Sequence, residues 1–260
     1  MSAIPPSHIY TDTQAWDCHA KGLLATPLRV QRYNFFATYA NKKCIFCRIL
    51  AYNLRICEFY CTFARKFRPS KTLYTMPNIL FIVGSLRRDS YNRQLAKQAE
   101  VLLQGKAHVS YLEFADMPFM NQDIEFTAPA VVQRVRDEVQ KADGIWIFTP
   151  EYNSSYPGLL KNLLDWLSRP LKPNDYANPT AISGKPVTVS GAAGKSACKD
   201  SIGKLLPLLT MMRTRLMSEP IMSVALTPDV WQTGVLTLSA EQLAALQQQA
   251  DVFLQFMDAE

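Results

Sequence analysis

Five short apolar runs alternate with helix-like segments after Met76, and this alternation restricts the fold more than any other feature of the chain. The first run, residues 79–83, is continuously apolar, as in a central parallel strand that is covered on both faces. Further strands are predicted at residues 108–114, 144–149, 187–190 and 221–225. Helical spacing lies between them, at residues 95–102, 131–139 and 158–167 and in a segment that ends near Met212. The sequence therefore predicts an α/β fold, a doubly wound five-stranded parallel sheet with helices on both faces.

The last helix carries the clearest start signal. Ser239 is followed three residues later by Gln242, which is the spacing of a capping box. An apolar stripe follows, formed by Leu243, Leu246, Ala250, Phe253, Leu254 and Met257. We expect this stripe to face the core of the protein rather than a partner.

The composition changes near residue 76, which predicts an N-terminal extension (1–75) and one main domain (76–260). The net charge is +6 overall, but the extension has a net charge of +8 and the domain a net charge of −2. The domain is therefore not expected to bind nucleic acid through bulk charge. A basic nucleic-acid-binding arm in residues 1–75 stays open as an alternative. No apolar run reaches the ~18 residues of a membrane span, so none is predicted.

Cysteine follows the same division, because five of the six cysteines lie in the extension and only Cys198 lies in the domain. A disulfide-built secreted fold does not suit this distribution, which favours an intracellular, cytoplasmic domain. The paired spacing of Cys44, Cys47, Cys57 and Cys61 is similar to that of a four-thiolate zinc site. The short gap between the two pairs lacks turn residues, so no metal site is predicted.

The extension allows three interpretations. Its Arg-rich, acid-poor composition is typical of targeting segments, although Asp12 and Asp17 fall early. Met76 is also a possible natural start, with the upstream stretch misassigned. We expect a poorly ordered extension without essential chemistry.

The loop after the first predicted strand carries phosphate-binding side chains. Residues 84–92 read Gly-Ser-Leu-Arg-Arg-Asp-Ser-Tyr-Asn, so the loop has one glycine and lacks the dinucleotide fingerprint. It offers the hydroxyls of Ser85 and Ser90, the guanidinium of Arg87 and the amide of Asn92 at a helix N-terminus. This combination of donors suits a phosphate dianion. Helix capping by Ser90 or Asp89, with solvated arginines, is the simpler alternative.

The loop after the third predicted strand suits a flat heteroaromatic ligand. It reads Thr-Pro-Glu-Tyr-Asn-Ser-Ser-Tyr-Pro-Gly over residues 149–158. The prolines stiffen the loop, the tyrosines offer ring faces, and Glu151 and Asn153 offer polar groups. A rigid turn with incidental tyrosines is the alternative.

Together, these two motifs resemble the NADPH-dependent FMN reductase family of flavodoxin-like flavin, quinone and chromate reductases. The resemblance covers about residues 77–260 and also includes Leu-Lys-Asn162 and Asp165-Trp166. It implies that Ser85, Arg87, Ser90 and Asn92 hold the FMN phosphate. It also implies that Pro150, Glu151, Tyr152 and Asn153 line the isoalloxazine ring, largely through backbone groups. A loop after the fourth strand, residues 190–194 with Ser190 and Gly191, would close the other side of the ring.

The same resemblance implies the reaction and the partners. Hydride would pass from NADPH through FMN to a small electron acceptor such as a quinone, free flavin or chromate, in a ping-pong cycle without a catalytic side chain. A homodimer or homotetramer is expected, with residues 159–166 as possible contact surface. Arg87, Arg88 and Lys195 are candidates for the 2′-phosphate of NADPH.

Several rivals stay open. The chain could be an FMN-binding electron carrier or regulatory module without NADPH turnover, or a phosphate-binding domain without flavin. ATP hydrolysis is disfavoured because the Gly-Lys-Ser segment at 194–196 has Val189 where a P-loop needs glycine. Cys198 opens a helix and is expected to be a buried, inert thiol.

Overall fold

The computed structural model describes residues 76–259, and the extension with its four candidate zinc ligands lies outside the described residues. Its strands are β1 (Asn78–Val83), β2 (His108–Tyr111), β3 (Gly144–Thr149), β4 (Pro186–Ala193), β5 (Arg215–Leu216) and β6 (Ser223–Ala225). Its α-helices are α1 (Tyr91–Leu102), α2 (Ala130–Lys141), α3 (Gly158–Leu167), α4 (Lys199–Met211), α5 (Pro228–Thr233) and α6 (Ala240–Asp258), and a 3₁₀ turn spans Gln122–Ile124.

The strands form one parallel sheet in the order β2-β1-β3-β4-β5, with β6 also paired to β4. The strand order reverses at β1, so its neighbours β2 and β3 lie on opposite sides of it. The predicted doubly wound parallel sheet is confirmed. In such sheets ligands bind beyond the carboxyl ends of the strands, near the reversal point.

The fifth position of the sheet differs from the prediction, because two short strands share it. β5 pairs with the beginning of β4, and β6 pairs with its end. The chain between them leaves the sheet and contains Pro220, which has no N–H to donate to a ladder. The run predicted at 221–225 is therefore real but shorter, and β5 is too short to leave a periodic signal.

Apolar side chains cover both faces of the sheet in two separate cores. One core packs α2, α3 and α4 against one face, and the other packs α1, α5 and α6 against the opposite face. Each of β1, β3 and β4 is buried along almost its whole length, which explains the continuous apolar runs in the sequence.

Two differences refine the prediction of helices and strands. β2 ends at Tyr111 rather than at residue 114, although Leu112 still donates its N–H to the Phe81 carbonyl. The short helix α5 was not predicted; Thr227 caps it, Pro228 follows at its first position, and Gly234 ends it in a left-handed conformation.

The predicted start of the last helix is confirmed, because Ser239 and Gln242 form a reciprocal capping box. Its stripe faces the core as expected at Leu246, Ala250 and Phe253. Leu243 is the exception, since it lies in the first turn and stays exposed. None of the helices in residues 76–259 combines the length and hydropathy that a bilayer crossing requires.

Gln249 of α6 connects that helix to the sheet through four buried hydrogen bonds. Its Nε2 donates to Thr188 Oγ1 and to the Val189 carbonyl, each at 2.9 Å. Its Oε1 accepts from Ser190 Oγ at 2.9 Å and from the Met222 N–H at 2.7 Å. All four hydrogen-bonding positions of the amide are thus used inside the core.

We expect Gln249→Met to lower the free energy of unfolding by about 2–4 kcal/mol, because it leaves several buried polar groups without partners. Urea denaturation followed by circular dichroism would measure the change. Gln248→Met is the matched control at an exposed neighbour, where the change is expected to stay within about 0.5 kcal/mol. Equal effects of the two substitutions would contradict the role given to Gln249.

Candidate functional site

The loops after β1 and β3 meet at the carboxyl edge of the sheet. The Gly84 N–H donates to the Phe148 carbonyl at 2.8 Å, so the two chain segments stay paired as they leave the sheet. A Cβ on Gly84 would lie 3.3 Å from Pro150 Cδ and 3.5 Å from Pro157 Cγ. The two predicted ligand loops therefore pack directly against each other, and Gly84 allows that approach.

The loop after β1 has buried hydroxyl groups and an exposed guanidinium group. Ser85 and Ser90 are buried, and Ser90 caps α1 by accepting the Arg93 N–H at 3.4 Å. Arg87 is exposed, with its guanidinium carbon 4.7 Å from the Tyr91 ring centroid. Among the described residues, the N–H groups of Leu86, Arg87 and Tyr91 have no acceptor. The loop thus keeps free backbone donors, a cation and two hydroxyls around one helix N-terminus, as an anion site requires.

Asn92 makes buried contacts within the protein, in addition to the phosphate contact that the sequence predicts for it. Its Nδ2 donates to the Ala192 carbonyl and its Oδ1 accepts the Ala192 N–H, both at 2.9 Å. The side chain is buried, and this pair of bonds fixes the first turn of α1 to the end of β4. One Nδ2 hydrogen remains for another acceptor, so a contact with a phosphate stays a prediction.

The loop after β3 ends in a tight two-residue hairpin. Tyr152 and Ser155 exchange both backbone hydrogen bonds, with N···O distances of 2.9 and 3.1 Å. Asn153 and Ser154 between them have φ angles of 52° and 56°, as a type I′ turn requires. The turn holds Tyr152 with about half of its side chain exposed. Pro150 at the base of the loop is buried, so the loop is a rigid surface rather than a flexible flap.

Helix α4 supports this loop from the side. Glu151 Oε2 accepts the N–H groups of Asp200 and Ser201, each at 3.0 Å, so its carboxylate caps the helix. Ser201 Oγ donates to the Pro150 carbonyl at 2.9 Å, and Lys204 Nζ donates to the Ser154 carbonyl at 2.6 Å. Glu151 is therefore engaged with the protein, in agreement with a ring contact made mainly by backbone groups. Its carboxylate is a positioning group that the sequence did not reveal.

The region after β4 requires a correction. The predicted loop at 190–194 is strand as far as Ala193, so Ser190 and Gly191 lie inside β4. The Ser190 hydroxyl points into the core, where it accepts from Trp146 Nε1 and donates to Gln249. A Cβ at Gly191 would come within 2.7 Å of the Thr149 carbonyl oxygen and 2.8 Å of Cys198. Gly191 thus allows close packing, and a ligand role for either residue stays a prediction.

Cys198 is the one cysteine among the described residues. It is fully buried, and its Sγ donates to the Thr149 carbonyl at 3.2 Å. Burial first, and the nearby Glu151 carboxylate second, raise the pKa of this thiol to about 12. The expected inert thiol is in agreement with this environment, and a thiolate nucleophile at neutral pH is excluded at this position.

The loop after β2 is held at the same edge of the sheet by α3. Asn162 Oδ1 accepts the Met120 N–H at 2.8 Å, and Asn162 Nδ2 donates to the Pro118 carbonyl at 3.0 Å. Trp166 Nε1 donates to the same carbonyl at 2.9 Å. Phe119 between these anchors is 86% exposed. Asn162 and Trp166 were part of the sequence motif without an assigned role; their i,i+4 spacing on one helix face was the available signal.

A second clamp secures the chain just beyond this loop. Glu125 is buried and accepts from Arg169 Nε and a terminal guanidinium nitrogen at 2.8 and 2.9 Å. Arg136 is also buried; its guanidinium lies over the Trp166 ring and its Nε has no partner among the described residues. Desolvation lowers the pKa of Arg136, with Glu125 opposing that shift.

Comparison with known proteins connects these loops to one family. A family model described as NADPH-dependent FMN reductase matches residues 77–229. A quinone reductase of Pseudomonas putida KT2440 is 38% identical over 128 residues, which are 48% of this chain and 69% of the relative. A 2-hydroxy-1,4-benzoquinone reductase of Burkholderia is 40% identical over 116 residues, or 44% of this chain and 63% of the relative.

Among solved structures, the flavoenzyme NAD(P)H:(acceptor) oxidoreductase FerB of Paracoccus denitrificans is similar to this chain. Its TM-score is 0.62 at 30% sequence identity, and the match covers 70% of this chain and 97% of that one. All six strands and both predicted ligand loops lie within residues 77–229, which the family model matches, and α6 lies beyond them.

We expect Ser154→Gly to raise the free energy of unfolding by about 0.5–1 kcal/mol, because glycine adopts a positive φ without the strain that serine carries. Ser155→Gly is the matched control, since Ser155 lies outside the left-handed pair and should lose stability instead. Urea unfolding of both variants would measure the difference. Destabilisation by Ser154→Gly equal to that of Ser155→Gly would contradict the turn geometry.

Proposed function

Because the chain belongs to the NADPH-dependent FMN reductase family, it is an NAD(P)H- and FMN-dependent oxidoreductase, and we propose that it reduces a quinone. The proposed reaction takes a hydride from NADPH and delivers it, with one proton from solvent, to the quinone. The products are NADP⁺ and a hydroquinone. Relatives named quinone reductase support this choice of acceptor. Free flavin and chromate use the same hydride supply and stay within the same reaction class.

The loop after β1 fits the phosphate of FMN. A phosphate dianion needs several donors and a positive environment, and this loop combines free N–H groups with Arg87 and two hydroxyls. We propose that Ser85, Arg87 and Ser90 bind the phosphate. Asn92 holds the helix N-terminus in place from below through Ala192.

The loop after β3 fits the flat ring system of the same cofactor. Its backbone is stiffened by Pro150, by the hairpin at Asn153 and Ser154, and by the cap that Glu151 makes on α4. A rigid surface of this kind binds a ring without a large entropic cost. We propose that Pro150, Glu151, Tyr152 and Asn153 line the ring through their backbone groups.

FMN, when bound, supplies the two-electron chemistry, so the protein needs no nucleophile. Two features of the described residues support this part of the proposal. The Cys198 thiol stays protonated because its pKa is raised to about 12, and His108 lies at the start of β2, at the opposite edge of the sheet. The proposed role of the side chains of the site is to bind and orient FMN. The packed loops exclude water from the side on which the flavin ring would rest.

One observation carries the proposal: the direct packing of the Gly84 loop against Pro150 and Pro157. This packing supports the proposal because it brings the loop proposed for the phosphate next to the loop proposed for the ring, at the reversal point of the sheet. We also propose a cytoplasmic location, which is supported by the need for NADPH and by the single reduced Cys198 in the described domain.

We expect Arg87→Ala to weaken FMN binding about tenfold to a hundredfold, because it removes a charge-assisted contact to the phosphate. Quenching of flavin fluorescence on titration into the protein without flavin would measure the Kd. Lys172→Ala, an exposed cation beyond α3, is the control with the same change in net charge. If Arg87→Ala combined with Asn92→Ala left the Kd unchanged, the phosphate site would be wrong.

The reaction itself is tested by mixing the FMN-loaded protein with NADPH in the absence of oxygen. Bleaching of the oxidised flavin band, followed by recovery on addition of 1,4-benzoquinone, is the expected result. Steady-state oxidation of NADPH should then depend on the quinone. A protein that binds FMN but shows negligible turnover with quinone, free flavin or chromate would be an electron carrier or a regulatory module instead.

We propose that the chain assembles as a homodimer or homotetramer through the carboxyl edge of the sheet, where the loops after β1 and β2 lie. Two large apolar side chains in the loops at this edge are exposed to solvent and support the proposal. Phe119 is 86% exposed and Leu86 is 65% exposed. Clusters of exposed apolar side chains are typical of protein contacts.

We expect Phe119→Asp to shift the full chain toward monomer, because it places a charge in the proposed contact. Light scattering during size-exclusion chromatography would measure the mass. Val101→Asp is the control, at a side chain on α1 that is 59% exposed. An unchanged mass for Phe119→Asp, or a monomeric wild type, would rule out this contact.

A further inference from the structure

A cationic groove runs beside the loop after β1, between α1 and the segment that follows α5. It encloses about 380 Å³. Its basic side chains are Arg87, Arg88, Arg93 and Lys97, and its one acidic side chain is Asp89, so the groove has a net charge of +3. Residues 76–260 as a whole have a net charge of −2. The groove is therefore locally positive on a domain whose net charge is slightly negative.

The walls of this groove are held together by hydrogen bonds. Gln94 Nε2 donates to the Gly234 carbonyl at 2.8 Å, and Gln94 Oε1 accepts the Leu236 N–H at 2.7 Å. Gln98 Nε2 donates to the Leu236 carbonyl at 3.0 Å. The segment opposite α1 is thus fixed to the helix by side chains of the helix itself. The groove is a formed feature of the fold rather than a row of free surface cations.

An exposed aromatic ring lies next to the groove. Trp231 is 57% exposed and sits two residues before Thr233, which lines the groove. Its ring packs edge-to-face against Tyr91 at 5.5 Å, and Arg87 lies over the same tyrosine. A fixed indole face beside a set of guanidinium and ammonium groups is suited to a purine nucleotide, whose base stacks while its phosphates pair with the cations.

Charge distinguishes the two candidate electron donors. NADH carries about −2 on its pyrophosphate, and the 2′-phosphate of NADPH brings the total to about −4. Arg88, Arg93 and Lys97 lie outside the set of residues proposed for the FMN phosphate. Among the residues that line the groove, Asp89 is the one acidic side chain, and its carboxylate lies 3.8 Å from Arg88 Nε. Arg93 and Lys97 form no salt bridge within the described residues, so their charges can pair with a second anion. Arginine forks bind phosphate in a bidentate manner, which favours a terminal phosphate over a bridging one.

We propose that this groove binds the adenosine 2′-phosphate end of NADPH and thereby makes the protein select NADPH over NADH. The proposal rests on the proposed function, because it assigns the phosphate-bearing end of the electron donor used at the same site. Arg93 and Lys97 carry the selection, one turn apart on the same face of α1. Lys195, which the sequence also offers as a candidate for the 2′-phosphate, does not line the groove.

The test uses the full chain and the probe 2′,5′-ADP, which carries the 2′-phosphate but no nicotinamide. Isothermal titration calorimetry should show binding of 2′,5′-ADP to the wild type and much weaker binding of 5′-AMP. Arg93→Gln combined with Lys97→Gln should weaken the Kd for 2′,5′-ADP about tenfold. The ratio of kcat/KM for NADPH to that for NADH should fall by a similar factor.

Lys141→Gln combined with Lys172→Gln is the control, with the same loss of charge at exposed lysines of α2 and the chain beyond α3. Neither the Kd nor the ratio should change in it. The FMN Kd of the Arg93→Gln, Lys97→Gln variant should match that of the wild type, which separates this site from the phosphate loop.

Three results would overturn the proposal. An unchanged NADPH-to-NADH ratio in the Arg93→Gln, Lys97→Gln variant would remove the selective role. Equal binding of 2′,5′-ADP and 5′-AMP would show that the 2′-phosphate is not recognised. Binding of a single-stranded oligonucleotide that depends on Arg93 and Lys97, with no competition by 2′,5′-ADP, would assign the groove to nucleic acid. Failure of FMN binding in the wild type would instead reject the proposed function, while calorimetry with 2′,5′-ADP would still test the groove.

Discussion

The paired hydrogen bonds between Asn92 and the backbone of Ala192 are the interaction on which the site most depends. They join the first turn of α1 to the end of β4 across the position of β3 in the sheet. This connection fixes where the N–H groups at the start of α1 point. Because an anion site made of backbone donors has no flexible parts, its affinity depends on such a fixed orientation. The buried, uncharged amide of Asn92 therefore contributes to the site through the geometry that it imposes on the start of α1.

The loop after β3 follows the same logic on the other side of the site. A type I′ turn with serine at its second central position is strained, and a free loop with this sequence would adopt other conformations. Here Glu151 caps α4, Ser201 bonds back to Pro150, and Lys204 bonds the strained turn itself. The contacts from α4 thus stabilise a turn conformation that the sequence of the turn does not favour by itself. A rigid platform results, although much of its outer surface is exposed.

The sequence predicted those parts of the structure that depend on local chemistry. The capping box of α6, the buried runs of β1 and β3, and α3 at 158–167 agree with the structure because turn residues and apolar periodicity decide them locally. The same holds for the position of the two ligand loops at strand ends. Side-chain direction was harder to predict. The direction of the Ser190 hydroxyl is an example, because it is set by a hydrogen bond to Gln249, 59 residues away in the chain.

Long-range contacts explain the other differences as well. The motif predicts that Glu151 lines the ring, but it gives no sign that the Glu151 carboxylate also caps a helix about 50 residues later in the chain. β5 is two residues long and forms because it pairs with β4. A strand of two residues is too short for a periodic pattern, so the sequence could not predict it. The net charge of the sequence likewise does not predict the local charge at the site. The total of +6 describes mainly residues 1–75, whereas the field that a dinucleotide would meet comes from a few side chains that α1 and the Gly234 segment bring together. Electrostatic interactions fall off over about one Debye length, roughly 8 Å at physiological salt. The spacing of cations within one groove therefore decides which nucleotide is bound, and the sum over the chain does not.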